Sequence, residues 1–293
     1  MSFDANHVQI KQPTTFEQQI EILRSRGLIV NDEEFAINVL KTTNYYRLTA
    51  YTLPLKKDDK FYQGITFEHI YKIYQFDAEL RLLLMSIFEQ IEIAFRTHTA
   101  YLIAHKYGPL GYRDKNNFRY PKNHSKFLME LDENIKNSKE LFISHHFNKY
   151  GGRIPIWVAV EVLTFGLLSK LFNIMKVKDQ KIISRDYYNG IHPSEISSWL
   201  YAIATVRNRC AHYSRLYNRK LSITPYLPIE AKNLDIKNDE LFSIIYILKK
   251  LIKAESFWTS WITKLEAIIE QYQPEVDIKL MGFPYNWVNI LRN

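Results

Sequence analysis

One stretch of the chain combines residue types that can move a proton and hold a phosphate: Val206-Arg207-Asn208-Arg209-Cys210-Ala211-His212-Tyr213. Imidazole exchanges protons near neutral pH, and a guanidinium is a permanent cation whose planar fork fits phosphate oxygens. On a helix Asn208 and His212 are i and i+4, one above the other. Arg207 lies about 140° around the same helix from His212, a gap its long stem can close. Such a set supports attack of an RNA 2′-hydroxyl on the adjacent phosphate, the guanidinium stabilising the pentacoordinate phosphorane, and that reaction needs no metal. Spacing by itself is weak. With 14 Arg and 9 His in 293 residues, an Arg five positions before a His is expected about 0.4 times by chance. Arg119 and His124 repeat the spacing, but Pro121 lies between them and bars the pair from one helical face.

Helices must position these side chains, and composition favours helices. Glycine is scarce at 9 of 293, about 3% against a usual ~7%, whereas the tight turns of sheet-rich proteins consume it. Hydrophobic residues at 46% and charged residues at 24% are ordinary for a globular protein and exclude wholesale disorder. Apolar spacing and capping residues predict helices over 14–26, from the Asn31/Asp32 cap, over 67–107 behind Thr66, and over 122–148, 155–176, 178–189, 194–216, 238–253 and 256–272. The 67–107 stretch contains neither Pro nor Gly, and its Leu80, Leu83, Leu84, Ile87, Ile91, Ala94 and Phe95 form one stripe. Residues 54–64 and 108–121 read as turns and loop, 218–237 as a connection, and 281–287 as an ordered cap tucking aromatics back. Ile154 to Phe172 is the nearest approach to a membrane span, but Glu161 and Lys170 make it a buried core helix. The expected organisation is an all-α bundle, with an N-terminal helical region at 1–64 packed on a helical domain at 65–293, or one continuous domain.

Net charge is +8, from 39 basic and 31 acidic residues, and two windows account for it. Between 106 and 126, Lys106, Arg113, Lys115, Arg119, Lys122 and Lys126 meet only Asp114, a net +5. Between 207 and 220, Arg207, Arg209, Arg215, Arg219 and Lys220 meet no acid, again +5. Aromatics interleave them: Tyr107, Tyr112, Phe118 and Tyr120 in the first, Tyr213 and Tyr217 in the second. Cations neutralise phosphates while aromatic faces stack on exposed bases, so both windows are candidate RNA surfaces, with a merely solvated basic face as the alternative.

Other classes find little support. Cys210 is the only cysteine, which rules out an internal disulfide and a multi-cysteine zinc site and suits a reducing cytoplasm. Met1 to Gln12 lacks the apolar run of a signal peptide. His98, His105, His145 and His146 lack acidic partners at ligand spacing, and neither a Gly-rich phosphate loop nor a serine elbow is present, so no metal and no cofactor is expected. Glu161 pairs either with Arg207 or with a structural cation elsewhere. Glu89 and Glu92, near Arg96, read as a helix-surface ion pair. Arg47 reads as supporting the fold, with an approach to the site as the other reading.

The string RNRCAHYSRLYNR resembles the HEPN ribonuclease motif: an arginine, a polar residue directly after it, and a histidine on one helix. Further stretches make the chain resemble the abortive-infection AbiD/AbiF-like family of bacterial phage-defence proteins. They are Asn44-Tyr45-Tyr46-Arg47-Leu48 with Tyr51, Phe76-Asp77 with Leu80-Arg81 continuing through Ile91-Glu92 to Arg96, Trp157 to Gly166, and Gly282-Phe283-Pro284 with Trp287. The resemblance implies a HEPN-type helical bundle with an N-terminal helical extension and C-terminal helices. It implies a homodimer whose two motifs form one composite site, and metal-independent cleavage of RNA to a 2′,3′-cyclic phosphate and a 5′-hydroxyl. Arg207 would stabilise the transition state, His212 would serve as general acid or base, and Asn208 would orient the histidine or a phosphate oxygen. Arg209, Arg215, Tyr213, Arg219, Arg113, Lys115 and Arg119 are RNA-positioning candidates. Family members are associated with small structured RNAs that restrain them, so such an RNA is a candidate regulator. Two other readings stay open at this level: a non-catalytic protein that holds a structured RNA, and an inactive HEPN partner of a nucleotidyltransferase.

Overall fold

A computed structural model of the protein describes residues 11–293. The signal-peptide expectation at Met1 to Gln12 therefore falls almost entirely outside the described residues. The chain divides into two compact units. The smaller runs up to Phe76 and includes Pro274–Val276, and the larger holds Asp77–Gln273 and Asp277–Asn293.

In the smaller unit α1 (Phe16–Ser25) begins with a capping box. The Thr15 hydroxyl accepts from the Gln18 N–H, and the Gln18 side chain accepts from the Thr15 N–H. Gly27, at φ +91°, closes this helix in a conformation that glycine adopts without steric cost. Asp32 caps α2 (Glu33–Thr42), and Asn44 caps the short α3 (Tyr45–Thr49), where Arg47 sits exposed. A two-residue hairpin follows, Lys56–Lys57 against Lys60–Phe61, within the segment expected to turn. The Thr66 hydroxyl then accepts from the His69 N–H and opens α4 (Phe67–Tyr107), whose 41 residues match the predicted span. The two units part inside α4, at Phe76/Asp77, where the sequence reading expected 64/65.

The larger unit contains the rest of α4 and α5 (Pro121–Asn137), α6 (Leu141–Tyr150), α7 (Ile156–Ala159), α8 (Phe165–Ile174), α9 (Val177–Tyr187), α10 (Pro193–Ala211), α11 (Ile229–Asn233), α12 (Leu241–Leu251), α13 (Glu255–Gln271) and α14 (Trp287–Arg292). Helix α10 packs on α8, α9 and α12, and α5 packs on α8. The core joins Leu80, Leu84, Ile87, Phe88, Ile91 and Phe95 of α4 with Phe165, Leu168 and Phe172 of α8, Trp199, Leu200 and Ile203 of α10, and Ile244 and Ile245 of α12. Each such side chain contributes about 1.5–3 kcal/mol on leaving water. The fold is all-α apart from the small hairpin, as expected. Among the described residues no helix is long and apolar enough to cross a membrane.

Three predicted helices differ in extent. The 122–148 stretch breaks between α5 and α6, where Ser138 and Glu140 leave helical geometry. The 155–176 stretch breaks into α7, a 3-10 turn over Val160–Val162, and α8. There Leu163 becomes extended, and the Thr164 hydroxyl captures the Leu167 N–H at 3.2 Å, so a new helix starts inside the apolar run. The 194–216 helix stops at Ala211, five residues early. The C-terminal cap is ordered as expected, with Phe283 and Trp287 buried and in edge contact, although Tyr285 is fully exposed.

Candidate active site

Helix α10 starts where the sequence dictates. Pro193 occupies its first turn, and His192 caps it by accepting the Ser194 N–H. Its inner face, Ile196, Trp199, Leu200, Ile203, Val206 and Cys210, is buried. Burial pushes the Cys210 thiol up to about 12, so it is inert packing rather than a nucleophile. Asn208 and His212 lie on the exposed side.

The end of α10 places His212 as its C-cap rather than in its interior. The His212 N–H bonds the Asn208 carbonyl at 2.9 Å, so the two are still one turn apart, as their spacing required. Tyr213 then turns to φ +55°, its N–H bonding Cys210 O at 3.0 Å, while the Ser214 N–H bonds Arg209 O at 2.8 Å. This is a Schellman stop with tyrosine where glycine is usual, at a cost of roughly 1–2 kcal/mol for the left-handed backbone. The result is an imidazole at a helix terminus, exposed and with no side-chain hydrogen bond among the described residues.

Arg207 turns toward α4. Its Nη1 donates to Asn208 Oδ1 at 3.3 Å, and its Nη2 lies 3.5 Å from Glu92 Oε2. Glu92 is only 6% exposed. Its other oxygen accepts from Arg96 at 2.6 Å, and Arg96 also donates to the Leu163 carbonyl at 2.8 Å, at the break before α8. Glu92, Arg96 and Arg207 rim a cleft of about 570 Å³ lined also by Met85, Ser86, Phe88, Glu89 and Ile93. Glu92 with Arg96 is therefore a part-buried pair, with the carboxylate buried, rather than the helix-surface pair expected. The sequence showed their i,i+4 spacing but not the third member, Arg207.

Glu161 resolves to the other of its two readings. Its side chain is half exposed, and its carboxylate lies 3.6 Å from Arg96, with no ion pair to Arg207. Two of the remaining arginines near the motif are held by the segment that follows it. Arg209 donates to Lys220 O and to the Ser222 hydroxyl, and burial, then Arg219, hold its guanidinium below the ordinary value. Arg215 donates to the carbonyls of Tyr217 and Asn218. Buried Asp77 accepts the N–H groups of Leu216 and Tyr217 and pairs with Arg81. The Tyr217 hydroxyl accepts the Asp277 N–H at 3.1 Å. Arg219 and Tyr213 are exposed, and Lys220 pairs with Asp239 and Glu240.

In the first basic window Arg113 forms a fork on Asp132, with contacts of 2.8 and 3.3 Å, and Lys106 is paired with Asp179. Lys115, Arg119, Lys122 and Lys126 are exposed and make no ion pair among the described residues, and Arg119 lies over the Tyr120 ring at 4.7 Å. His124, partner of Arg119 in the repeated spacing, is buried with Nε2 at 2.7 Å from Tyr112 O and stacked on Phe118. The second Arg-His spacing is thus structural.

This all-α arrangement sets a guanidinium and an exposed imidazole at the end of one helix whose inner face is buried. The chain belongs to the Abi-like protein family, whose profile matches residues 38–218, a stretch containing α10, Glu92 and both basic windows except the last two residues of the second. Membership supports a part in abortive infection, a form of phage defence. Neither a search of curated proteins nor one of solved structures gives a match.

Proposed function

We propose that the protein is a HEPN-type, metal-independent endoribonuclease that works as a homodimer and acts as an abortive-infection toxin. The observation that carries the reading is the end of α10, where exposed His212 stands one turn beyond Asn208 while Arg207 lies between Asn208 and Glu92. In the reaction the 2′-oxygen attacks the adjacent phosphorus and the 5′-oxygen departs. One imidazole takes the 2′-hydroxyl proton and another donates a proton to the 5′-oxygen, leaving a 2′,3′-cyclic phosphate and a 5′-hydroxyl. Two protomers supply two copies of His212, so both roles are filled. Arg207 meets the charge that develops on the phosphorane, and Asn208 orients the guanidinium or a phosphate oxygen.

The test is cleavage of labelled single-stranded RNA in EDTA. Arg207→Ala and His212→Ala each lose at least about 100-fold in rate while keeping the helical circular-dichroism spectrum. Wild-type rates in both variants sink the assignment. Intact RNA with the unaltered protein, bound in a salt-sensitive manner, points instead to a non-catalytic RNA-binding protein.

A further inference from the structure

We infer that Glu92 is a positioning residue for Arg207, and that Arg96 is the counter-charge that lets it serve as one. The inference rests on the nuclease reading above, and it starts from an asymmetry in the two contacts of one buried carboxylate. Oε1 of Glu92 is held by Arg96 at 2.6 Å, a full charge-assisted hydrogen bond. Oε2 faces Arg207 Nη2 at 3.5 Å, beyond good hydrogen-bond length for a charged pair.

A carboxylate buried to this degree is costly unless paired, and Arg96 pairs it. Arg96 is itself held by the Leu163 carbonyl at the end of the 3-10 turn before α8. Glu92 therefore does not need Arg207 for its own neutralisation. What reaches Arg207 is an attraction that aims the guanidinium along the cleft without binding it closed. Met85, Phe88 and Ile93 line that cleft beside exposed Ser86 and Glu89, so the attraction acts through its short range rather than through exclusion of water. A phosphate oxygen arriving at 2.7–2.9 Å, the ordinary length for such a contact, takes the guanidinium from a partner that holds it loosely. Without Arg96, Glu92 would close on Arg207 and cancel the charge the phosphorane requires. The break in the predicted 155–176 helix thus has a use: it frees the carbonyl that keeps Arg96 in place.

Glu92→Gln tests this with little change of shape, since the amide still accepts from Arg96. With single-stranded RNA the expected result is a fall in kcat of tenfold or more, KM within about twofold, and undiminished binding of a 2′-deoxy-substituted, uncleavable RNA. In the Arg207→Lys background, where the forked geometry is already gone, Glu92→Gln adds less than about twofold. A purely structural role would instead weaken binding and lower kcat by the same factor in both backgrounds, which overturns the inference, as does wild-type kcat in Glu92→Gln. If Glu92→Gln does not fold, Arg96→Gln is the second arm. Glu92 then closes on Arg207 and kcat falls similarly, and wild-type cleavage overturns the inference. Failure of the nuclease reading looks different, because Arg207→Ala itself then cleaves at the wild-type rate.

Discussion

The two basic windows carry the same formal charge and use it in opposite ways. In the second, only Arg219 is left to open solvent: Arg207 faces Glu92, Arg209 and Arg215 donate into the segment 217–222, and Lys220 meets two acids. In the first, only Lys106 and Arg113 are committed, while Lys115, Arg119, Lys122 and Lys126 face solvent beside Tyr120. One window is a site, with each guanidinium except the exposed Arg219 held at a particular place. The other is a field, whose cations attract a polyanion without fixing it. Counting charge along a sequence cannot separate the two, because the acids that decide the matter come from elsewhere in the chain.

The comparison breaks most severely at Asp77. Asp77→Ala removes the acceptor for two backbone N–H groups of the second window and leaves Arg81 buried at 5% exposure without its carboxylate. Urea unfolding should show a loss of about 3–5 kcal/mol. A loss under about 1 kcal/mol would mean that the second window is not held as described. An intermediate effect is expected on removing the field. Joint replacement of Lys115, Arg119 and Lys122 by alanine should weaken binding of single-stranded RNA and reduce the slope of log affinity against log salt by about 2, with little change in the urea midpoint. An unchanged slope would make the first window merely a solvated face. The smallest effect should come from Arg113→Ala, which breaks an exposed pair with Asp132 and costs no more than about 1 kcal/mol. Its salt slope should match that of the unaltered protein, and a slope reduced as by loss of a phosphate contact would return Arg113 to the RNA-binding set.

Much of the fold was legible because local physics wrote it. The Asp32 and Thr66 caps, the absence of Pro and Gly from 67 to 107, and the His192-Pro193-Ser194 start of α10 all act within a few residues. Two of the differing boundaries are stops whose punctuation is easily overlooked in sequence. Tyr213 ends α10 in a backbone conformation that normally signals itself by glycine. Thr164 interrupts an apolar run whose hydrophobicity continues on both sides. At the candidate site, Arg207, Asn208 and His212 stood out by residue type and by the resemblance of the motif around them, the spacing alone being weak. Glu92 did not, because its relation to Arg207 joins two distant segments and its burial depends on the packing of α4 in the larger unit. The exposure of Glu161 was hidden for the same reason, since an apolar neighbourhood in sequence is not an apolar neighbourhood in space.

The stretch shared with the family stops at residue 218, and later segments are tied back to it, α12 against α10 and the Asp277 N–H on Tyr217. Beyond that point Leu221 hangs on the Asp239 carbonyl. Glu240, which takes Lys220, reaches across Gly282 at φ +84°, so closely that a side chain there would collide with its carboxylate. A fragment trimmed to the shared stretch would keep every proposed catalytic residue and lose the clasp over the helix that presents them. Any minimal version made for expression, crystallisation or directed evolution should therefore run through α14, whose Leu291 is buried and accepts the Trp258 indole N–H at its carbonyl.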